Sequence, residues 1–509
     1  MQLNAFMTVG LVAITAFGLV FRFVGLDYSF SFDEAYLAAA AELPWPDLLA
    51  LFRFEADHTP LYYVLTKLWG TTFGFSDLSL RLLAALSGAG AVVAIGYAAR
   101  TFWGRTAGLV ALALSSVSSI LFFWTRTARM YALLVALAAL SLAAGWRWLK
   151  QPSTRSAAWY VVVSLLAVAT HLTAAAVVFA QFVFLVLARS RRPAWRSVII
   201  TFGLMAAVLV PWFAYNSLPR YFEPLGLPTW VTDSVNPLAG ATAVIRDSIV
   251  FYHGIHTFTY QWEINAFIVF RVLTWAVTLG ALATALVTLL RRQSKETEYR
   301  HATGYVLTVV LISLLPVIVV RPATKFFLPA AVGLLLLATD GLRRWHDRTR
   351  LGFLAAVGIL TVFAALQLPA MVRGQGLPWR GAAEYIAAHE RAGDTVLVHL
   401  WPDELTVSRY YRGQNKVQGV FPLSVEEQNR IFTYARYNAA RVITDDNLGP
   451  WLEQAPAGRQ RAWLVYGTGE PFFNGQIILS WFDRRGWTIR DRPSIPYGRD
   501  GFLLLLERG

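Results

Sequence analysis

The chain has 509 residues, of which 56% are hydrophobic and 15% are charged, and its formal net charge is +14. Soluble domains usually carry more charge and less apolar content, so this composition excludes a chain of ordinary soluble domains. The basic residues form short clusters between long apolar runs, which is typical of membrane topology and argues against a nucleic-acid partner. The absence of cysteine excludes disulfides, zinc-thiolate sites and thiol nucleophiles.

Eleven apolar segments are candidates for transmembrane helices, each of which needs about 20 apolar residues. They cover residues 6–24, 79–99, 106–124, 129–148, 157–171, 173–189, 197–215, 266–290, 303–320, 326–342 and 351–371. The first is interpreted as a retained helix rather than a signal peptide. The fifth and sixth are short and predict a hairpin that turns at His171. Residues 61–75 are also apolar, but Lys67 lies in their middle, which favours a helix in the outer interface.

Basic clusters in alternate connections predict the orientation of these helices. They lie at residues 100–105, 147–155, 189–196, 291–300 and 343–350. Because cytoplasmic loops are enriched in Lys and Arg, the N-terminus is predicted to be cytoplasmic. An odd number of spans then places residues 373–509 in the periplasm or outside the cell. The localisation predicted is a multi-pass protein of the inner (cytoplasmic) membrane.

The composition changes near residue 373, which predicts a transmembrane domain over 1–372 and a soluble α/β domain over 373–509. Residues 378–392 show the periodicity of an amphipathic helix, and four short segments predict strands: 395–400, 441–444, 462–466 and 502–506. Asp403 and Glu404 are interpreted as solvated loop charges. The fold class predicted is therefore a polytopic α-helical membrane protein with a C-terminal soluble α/β domain.

The first outer loop, residues 25–78, carries acids in an otherwise apolar protein: Asp33, Glu34 and, later, Asp57 beside His58. Carboxylates close to hydrocarbon are costly and are often retained for catalysis. Partial desolvation raises the pKa of a carboxylate and makes it a better proton acceptor. The alternative is that Asp33 and Glu34 only cap an interfacial helix that starts near Ala35.

Cations are predicted on the same outer side, namely Arg126, Arg129, Arg321 and Lys325. Arginine at a helix entrance can extend to lipid headgroups, which is the structural alternative. Four cations on the face otherwise depleted of them favour an anionic ligand, most simply a phosphate. Acids and cations on one face are what a transferase acting on a lipid-linked phosphate needs, since the acid accepts a proton and the cations stabilise the leaving phosphate.

Several motifs carry a resemblance to a known family. They are Phe21–Leu26 followed by Ser31–Ala35, then Asp57–Tyr63, Arg81, Ala128–Ala132 and, more diffusely, Lys325–Pro329. With these motifs the sequence resembles the GT-C glycosyltransferases, polytopic enzymes that use polyprenyl-phosphate-linked sugars. Within that class it looks most like the bacterial branch that contains protein O-mannosyltransferases and lipid A aminoarabinose transferases.

By that resemblance, Asp33 matches the loop acid assigned to catalysis, Asp57 the second acid, and Arg129 and Lys325 basic positions near the donor phosphate. His58, Tyr62 and Tyr131 are expected to position the acceptor or the loop. The sequence departs from the family pattern twice. Thr59 stands where a proline is usual, and Lys325 replaces an arginine, which keeps the charge but loses the bidentate fork.

The function predicted is an inverting transfer of one sugar, a hexose or a pentose, from a polyprenyl phosphate to an acceptor hydroxyl of a lipid, glycan or protein. No cofactor or metal is predicted, since His253 and His256 lack a clear third ligand. The main alternative is a transporter or lipid flippase, which should carry ionisable residues and broken helices at the midplane. A scaffold with a sensing domain would leave the loop acids unexplained.

The basic clusters make the topology testable. Reporter fusions placed after Arg292 and after Arg373 should report opposite sides of the membrane, because one position follows a basic cluster and the other follows the last span. A fusion after Lys150 serves as the cytoplasmic reference. If the fusions after Arg292 and Arg373 report the same side, the eleven-span topology is wrong.

Overall fold

The computed structural model describes residues 5–52, 59–188, 193–217, 242, 245–248, 261–290, 297–315, 324–373, 376–399, 403–420, 452, 458–466, 475–498 and 501–509. Contacts divide the chain into two units. The helical unit comprises Met1–Leu26, Ala56–Pro219 and Thr232–Gln375, and the C-terminal unit comprises Asp27–Glu55, Arg220–Val231 and Gly376–Gly509. The predicted boundary at residue 372 assigns the start of the first outer loop to the transmembrane domain, whereas the contacts group Asp27–Glu55 with the C-terminal residues.

Helices form the described part of the helical unit. They are Ala5–Phe21, Pro60–Phe73, Asp77–Trp103, Arg105–Val117, Ser119–Trp124, Tyr131–Lys150, Thr154–Thr170, Ala174–Leu187, Trp195–Trp212, Gln261–Leu290, Thr297–Leu314, Leu328–Arg348 and Arg350–Arg373, with a π-helix at Phe213–Ser217 and a 3-10 helix at Thr324–Phe327. A described helix overlaps each of the eleven predicted segments. Six described helices are long and apolar enough to cross a membrane by length and composition, and four shorter ones are also apolar. The count of eleven spans stays a prediction.

The predicted hairpin at His171 is confirmed, since one helix ends at Thr170 and the next begins at Ala174. The third predicted segment is not continuous, because its helix breaks at Ser118. The Arg22 guanidinium donates hydrogen bonds to the carbonyls of Ser115 (2.8 Å) and Ser116 (3.1 Å). Carbonyls bound in this way leave the helical ladder, which is a recognised cause of sharp helix bends.

Two further buried arginines bind the backbone where the first helix ends. Arg126 donates hydrogen bonds to the carbonyls of Val24 and Gly25, the latter at 3.1 Å, and Arg81 donates one to the carbonyl of Leu26 at 3.1 Å. The carbonyls of Val24, Gly25 and Leu26 follow the end of the helix at Phe21 and lie outside its hydrogen-bond ladder, so in an apolar interior side chains must satisfy them. Gly25 adopts a positive φ of 62°, a conformation that glycine adopts without strain.

The C-terminal unit contains a five-stranded sheet. Its strands are β1 (Thr395–Val398), β2 (Val417–Gly419), β3 (Arg461–Val465), β4 (Trp487–Asp491) and β5 (Leu503–Arg508), in the spatial order β2-β1-β3-β5-β4. The first three are parallel, and β5 runs antiparallel to both β3 and β4. Strands are thus found at three of the four predicted positions, and the fourth, 441–444, lies outside the described residues. The helices of this unit are Phe32–Glu42, Trp45–Leu51, Trp379–His389, Glu404–Tyr410 and Gly475–Asp483.

Both faces of the sheet are covered, which explains why its central strands are apolar at every position. One face packs Val396, Val398 and Trp463 against the helix Trp379–His389. On the other face, Leu397, Leu464 and Leu504 pack with Ile478 and with Tyr36, which comes from the first outer loop. The helix Phe32–Glu42, called the loop helix below, therefore contributes a side chain to the core of the sheet.

Close helix packing in the helical unit predicts one sensitive glycine. A Cβ atom at Gly341 would overlap the carbonyl oxygen of Ala281 on the helix Gln261–Leu290. We expect Gly341→Ala to lower the unfolding temperature of the detergent-solubilised protein, at a cost of about 1 to 3 kcal/mol, because two backbones would have to separate. Gly90→Ala is the matched control, since nothing lies within 4 Å of a Cβ atom there. Equal stability of the two variants would contradict the packing described.

Candidate active site

The loop helix begins with two acids that have different surroundings. Its N-cap is Ser31, and the buried Glu34 carboxylate accepts hydrogen bonds from the backbone N–H and the hydroxyl of Ser31, both at 3.0 Å. The bond from the Ser31 N–H to the Glu34 carboxylate is the part of a capping box that the third helical residue supplies. Helix capping was the alternative role considered for both acids, and Glu34 has that role in the structure. A catalytic role for Glu34 stays a prediction. The helix starts at Phe32, three residues earlier than expected.

Asp33, the residue before Glu34, is half-buried. It lies close to a second carboxylate, that of Asp403. Asp403 is only 7% exposed, so its interpretation as a solvated loop charge is wrong. Burial, and to a smaller extent the charge of Asp33, raises the pKa of Asp403 to about 7, although the Thr406 hydroxyl, 3.4 Å from Oδ1, favours the charged form. A buried carboxyl with a raised pKa beside another carboxylate is a frequent feature of functional sites.

Three of the predicted site residues, Asp57, His58 and Arg321, lie outside the described residues. The chain immediately after His58 is described, and Thr59 caps the helix Pro60–Phe73. Its hydroxyl donates a hydrogen bond to the carbonyl of Val168 at 2.9 Å, close to the end of the helix Thr154–Thr170. The threonine that departs from the family pattern thus makes a tertiary contact. Tyr62, on the first turn of this helix, is buried.

Helix ends of the helical unit bring together several polar side chains. The rings of Trp124 and Tyr131 are 5.2 Å apart, those of Tyr131 and His171 are 6.2 Å apart, and those of His171 and Phe326 are 6.0 Å apart. The Lys325 ammonium lies 5.5 Å from the ring centre of Phe326. Residues from four separate helix ends, including the predicted Tyr131 and Lys325, therefore meet in one place, which we call the helix-end cluster (Trp124, Tyr131, His171, Lys325 and Phe326).

The polar atoms of the helix-end cluster are mainly hydrogen-bond donors. The backbone N–H of Thr173 donates to Nδ1 of His171 at 3.2 Å, which places the proton of a neutral ring on Nε2. The Tyr131 hydroxyl is buried and has no hydrogen-bond partner among the described residues. Arg129, two residues before Tyr131, is also buried. Donors of this kind suit an anionic ligand.

Arg126 has a different environment. It binds the Val24 and Gly25 carbonyls, and its guanidinium lies 4.8 Å from the ring centre of Phe122. These contacts support a structural role, and its assignment to a donor phosphate stays a prediction. Of the predicted site residues, Tyr131 and Lys325 meet in the helix-end cluster, whereas Asp33 and Glu34 belong to the C-terminal unit.

Two residues were missed by the sequence-based reasoning, Asp403 and His171. Asp403 follows strand β1, and the carboxyl ends of parallel strands are frequent sites of function, so this position could have drawn attention. His171 was identified only as a turn. Within the described ranges, no group of three His, Cys, Asp or Glu side chains could hold a metal ion.

Comparisons with known proteins bear on the family and the fold of this chain. Residues 57–215 match the family model described as dolichyl-phosphate-mannose-protein mannosyltransferase. Among proteins of curated function, none matches the chain in sequence. The matched segment includes Thr59, Tyr62, Arg129, Tyr131 and His171, and it confirms the resemblance to GT-C glycosyltransferases noted from the motifs.

Two solved structures share the fold. ArnT from Cupriavidus metallidurans, bound to undecaprenyl phosphate, is 15% identical, with 97% of each chain covered and a TM-score of 0.61. The oligosaccharyltransferase AglB from Archaeoglobus fulgidus, in complex with an inhibitory peptide and a dolichol-phosphate, is 12% identical, with 91% of this chain and 70% of that chain covered and a TM-score of 0.53. Both are GT-C glycosyltransferases, so this chain has the GT-C fold. The six described helices that are long and apolar enough to cross a membrane indicate a membrane protein.

Ligand binding at the helix-end cluster can be tested with undecaprenyl phosphate as the probe. Arg129→Ala should weaken its binding by about 1.5 to 3 kcal/mol, the range for a charge-assisted hydrogen bond. Arg147→Ala is the matched control, because Arg147 is exposed at the opposite end of the helix Tyr131–Lys150. Affinity can be measured by quenching of intrinsic fluorescence in detergent. If folded Arg129→Ala binds the probe as tightly as the control, Arg129 is not a phosphate ligand.

Proposed function

We propose that this protein is a glycosyltransferase that moves a single sugar, a hexose or a pentose, from a polyprenyl-phosphate donor to an acceptor hydroxyl on a lipid, glycan or protein. The reaction is proposed to take place at the outer face of the inner membrane and to invert the anomeric centre. The orientation rests on the basic clusters of the sequence, which favour a cytoplasmic N-terminus.

The helix-end cluster is the observation that carries this proposal. A lysine, a tyrosine hydroxyl and a histidine N–H placed among apolar helices can donate hydrogen bonds to the oxygens of a phosphate. The buried Arg129, two residues before Tyr131 along the chain, is a further candidate donor beside this cluster. Such donors stabilise the charge that develops on the phosphate as it leaves. ArnT has the same fold and was solved with undecaprenyl phosphate, and AglB with a dolichol-phosphate, so a polyprenyl phosphate is the ligand class we favour.

Asp33 is assigned the role of general base. It accepts the proton of the acceptor hydroxyl while that oxygen attacks the anomeric carbon, and the bond from this carbon to the phosphate oxygen breaks as the polyprenyl phosphate departs. A single displacement of this kind inverts the anomeric centre. Arg129 and Lys325 are assigned to the phosphate, with Arg126 and Arg321 as further candidates, and Asp57 is the second acid. His58, Tyr62 and Tyr131 are assigned to positioning of the acceptor or the loop.

A transporter remains the alternative of a different class, and the buried charges of the helical unit bear on it. Asp340 lies within a predicted span and is fully buried. Its carboxylate accepts hydrogen bonds from the guanidinium groups of Arg343 (3.0 Å) and Arg344 (3.1 Å) and from the Thr303 hydroxyl (2.9 Å). A carboxylate bound in this way is suited to holding helices together rather than to carrying ions along a pathway. The described charges of the helices therefore favour the transferase.

The chemistry is tested by replacing Asp33. Asp33→Asn keeps the shape of the side chain but removes the proton acceptor, so turnover should fall by about 10² to 10⁴-fold. The measurement is mass spectrometry of cell-envelope lipids, glycans and proteins from cells that lack the protein, complemented with wild type or with Asp33→Asn. We expect one saccharide modification to depend on the wild-type protein and to be lost in the variant.

Glu34→Gln is the matched control. The Glu34 carboxylate accepts hydrogen bonds from Ser31, and the amide oxygen of a glutamine can still accept them. It should retain most of the activity. If Asp33→Asn complements fully while Asp57→Asn does not, Asp57 is the base. If no envelope saccharide depends on the wild-type protein, glycosyl transfer is not its function.

A further inference from the structure

We propose that the helix Glu404–Tyr410 of the C-terminal unit, called the support helix, positions the loop helix that carries Asp33. Arg409 and Tyr410 are then positioning residues for the transferase reaction, and the C-terminal unit is part of the catalytic machinery. This inference rests on the proposed function. All the contacts that carry it lie within the C-terminal unit.

The support helix holds the chain just before the loop helix begins. The Tyr410 hydroxyl accepts a hydrogen bond from the backbone N–H of Phe30 at 2.6 Å. The Arg409 guanidinium lies 5.1 Å from the ring centre of the same phenylalanine, which is fully buried. Two contacts of different chemistry therefore fix one residue, and Asp33 follows it by three positions.

The same arginine also holds the end of the loop helix. Arg409 Nη1 and Glu42 Oε1 are 3.0 Å apart, and the arginine side chain is only 17% exposed. Glu42 is the last residue of the loop helix. Arg409 thus connects the two ends of the element, one through the Phe30 ring and the other through a salt bridge. A salt bridge that water can reach adds little stability on its own. The role of this salt bridge is to fix the orientation of the loop helix.

Contacts in the middle of the loop helix restrict the remaining freedom. Tyr36 is 4% exposed and belongs to the sheet core together with Leu397 and Leu464, and Leu405 of the support helix packs against this cluster. An element held at its start, its middle and its end can neither slide along nor rotate about its axis without breaking one of these contacts. The position of the Asp33 carboxylate is set by this arrangement.

The support helix also approaches Asp33 directly. Its N-cap is Asp403, whose charged form is disfavoured by burial and by the Asp33 carboxylate. An influence of one carboxylate on the other requires that they be close. The N-cap residue of the support helix, Asp403, therefore lies close to the proposed base, and its last two residues, Arg409 and Tyr410, contact the two ends of the loop helix.

The test is a charge exchange between Arg409 and Glu42, with Tyr410→Phe as a milder variant that loses only the hydroxyl. Turnover is measured with polyprenyl-phosphate sugars and an envelope fraction, both extracted from cells that lack the protein. Misplacement of a catalytic group by about 1 Å can cost 10²-fold, so Arg409→Glu should lower kcat by about 10-fold or more, and Tyr410→Phe by less. Arg409→Glu combined with Glu42→Arg should recover part of the kcat, since the exchange restores the salt bridge but not the contact of Arg409 with the Phe30 ring. Undecaprenyl phosphate should bind all variants equally.

The matched control is the exchange of Lys150 with Glu298, a salt bridge of the helical unit. It should leave kcat unchanged. If Arg409→Glu and Tyr410→Phe keep the wild-type kcat in folded protein, or if the double exchange recovers stability but not kcat, the support helix does not position Asp33. Asp33→Asn, assayed beside them, separates the two hypotheses: a fully active Asp33→Asn contradicts the assigned base, whereas an inactive Asp33→Asn with a fully active Arg409→Glu contradicts only the positioning role.

Discussion

Backbone carbonyls that leave a helix inside an apolar interior must find a donor, and this requirement shapes the start of the molecule. At the end of the helix Ala5–Phe21, Arg81 and Arg126 bind the carbonyls of Val24, Gly25 and Leu26, while Arg22 binds those of Ser115 and Ser116. All three arginines are fully buried, so a carbonyl that lost its arginine here would be left unsatisfied at a cost in free energy. The first helix therefore ends at a defined residue, and the chain leaves it toward the acid loop from a fixed point. Arg126, which the sequence predicted as a phosphate ligand, thus binds the backbone in this structure.

The two adjacent acids show how position along one helical turn decides a role. Glu34 is the third helical residue, where a side chain can return to the N-cap, and its carboxylate is bound by Ser31. Asp33, one residue earlier, cannot make that reciprocal bond, and it faces the buried Asp403. A carboxylate engaged as a cap is poorly placed to accept a further proton, whereas Asp33 stands at the second helical position, outside that cap. Local geometry thus favours Asp33 over Glu34 as the base, although the residues are of similar chemistry.

Local patterns in the sequence predicted what depends on local physics. Hydropathy predicted a helix in each of eleven segments, and the turn at His171, because apolar length and helix-breaking polarity act over a few residues. The break at Ser118 was not predictable, since it depends on Arg22, more than ninety positions away. The burial of Asp403 and the docking of Tyr36 in the sheet depend on residues still more distant along the chain. The pairing of Arg409 with Glu42 carries no local signal at all. The motifs therefore predicted Asp33 as the acid, and only the fold shows which residues contact the helix that carries it.

The topology of the sheet suggests why the support helix is where it is. In the parallel part, β1 lies beside β3, and the chain leaves β1 toward β2 on one side but leaves β3 toward β4 on the other. Parallel α/β sheets usually bind ligands at the carboxyl ends of strands where the connections diverge in this way. His399 follows β1 and Tyr466 follows β3, and their rings stack 5.1 Å apart. Tyr36 belongs to the same core cluster as Tyr466, and the support helix follows β1 by a short connection. The position that a free-standing α/β domain would offer to a ligand is here packed with the protein's own loop helix. A domain that packs against a loop segment in this way can hold that segment in a fixed position. This role depends on the rigidity of the domain and needs no bound ligand.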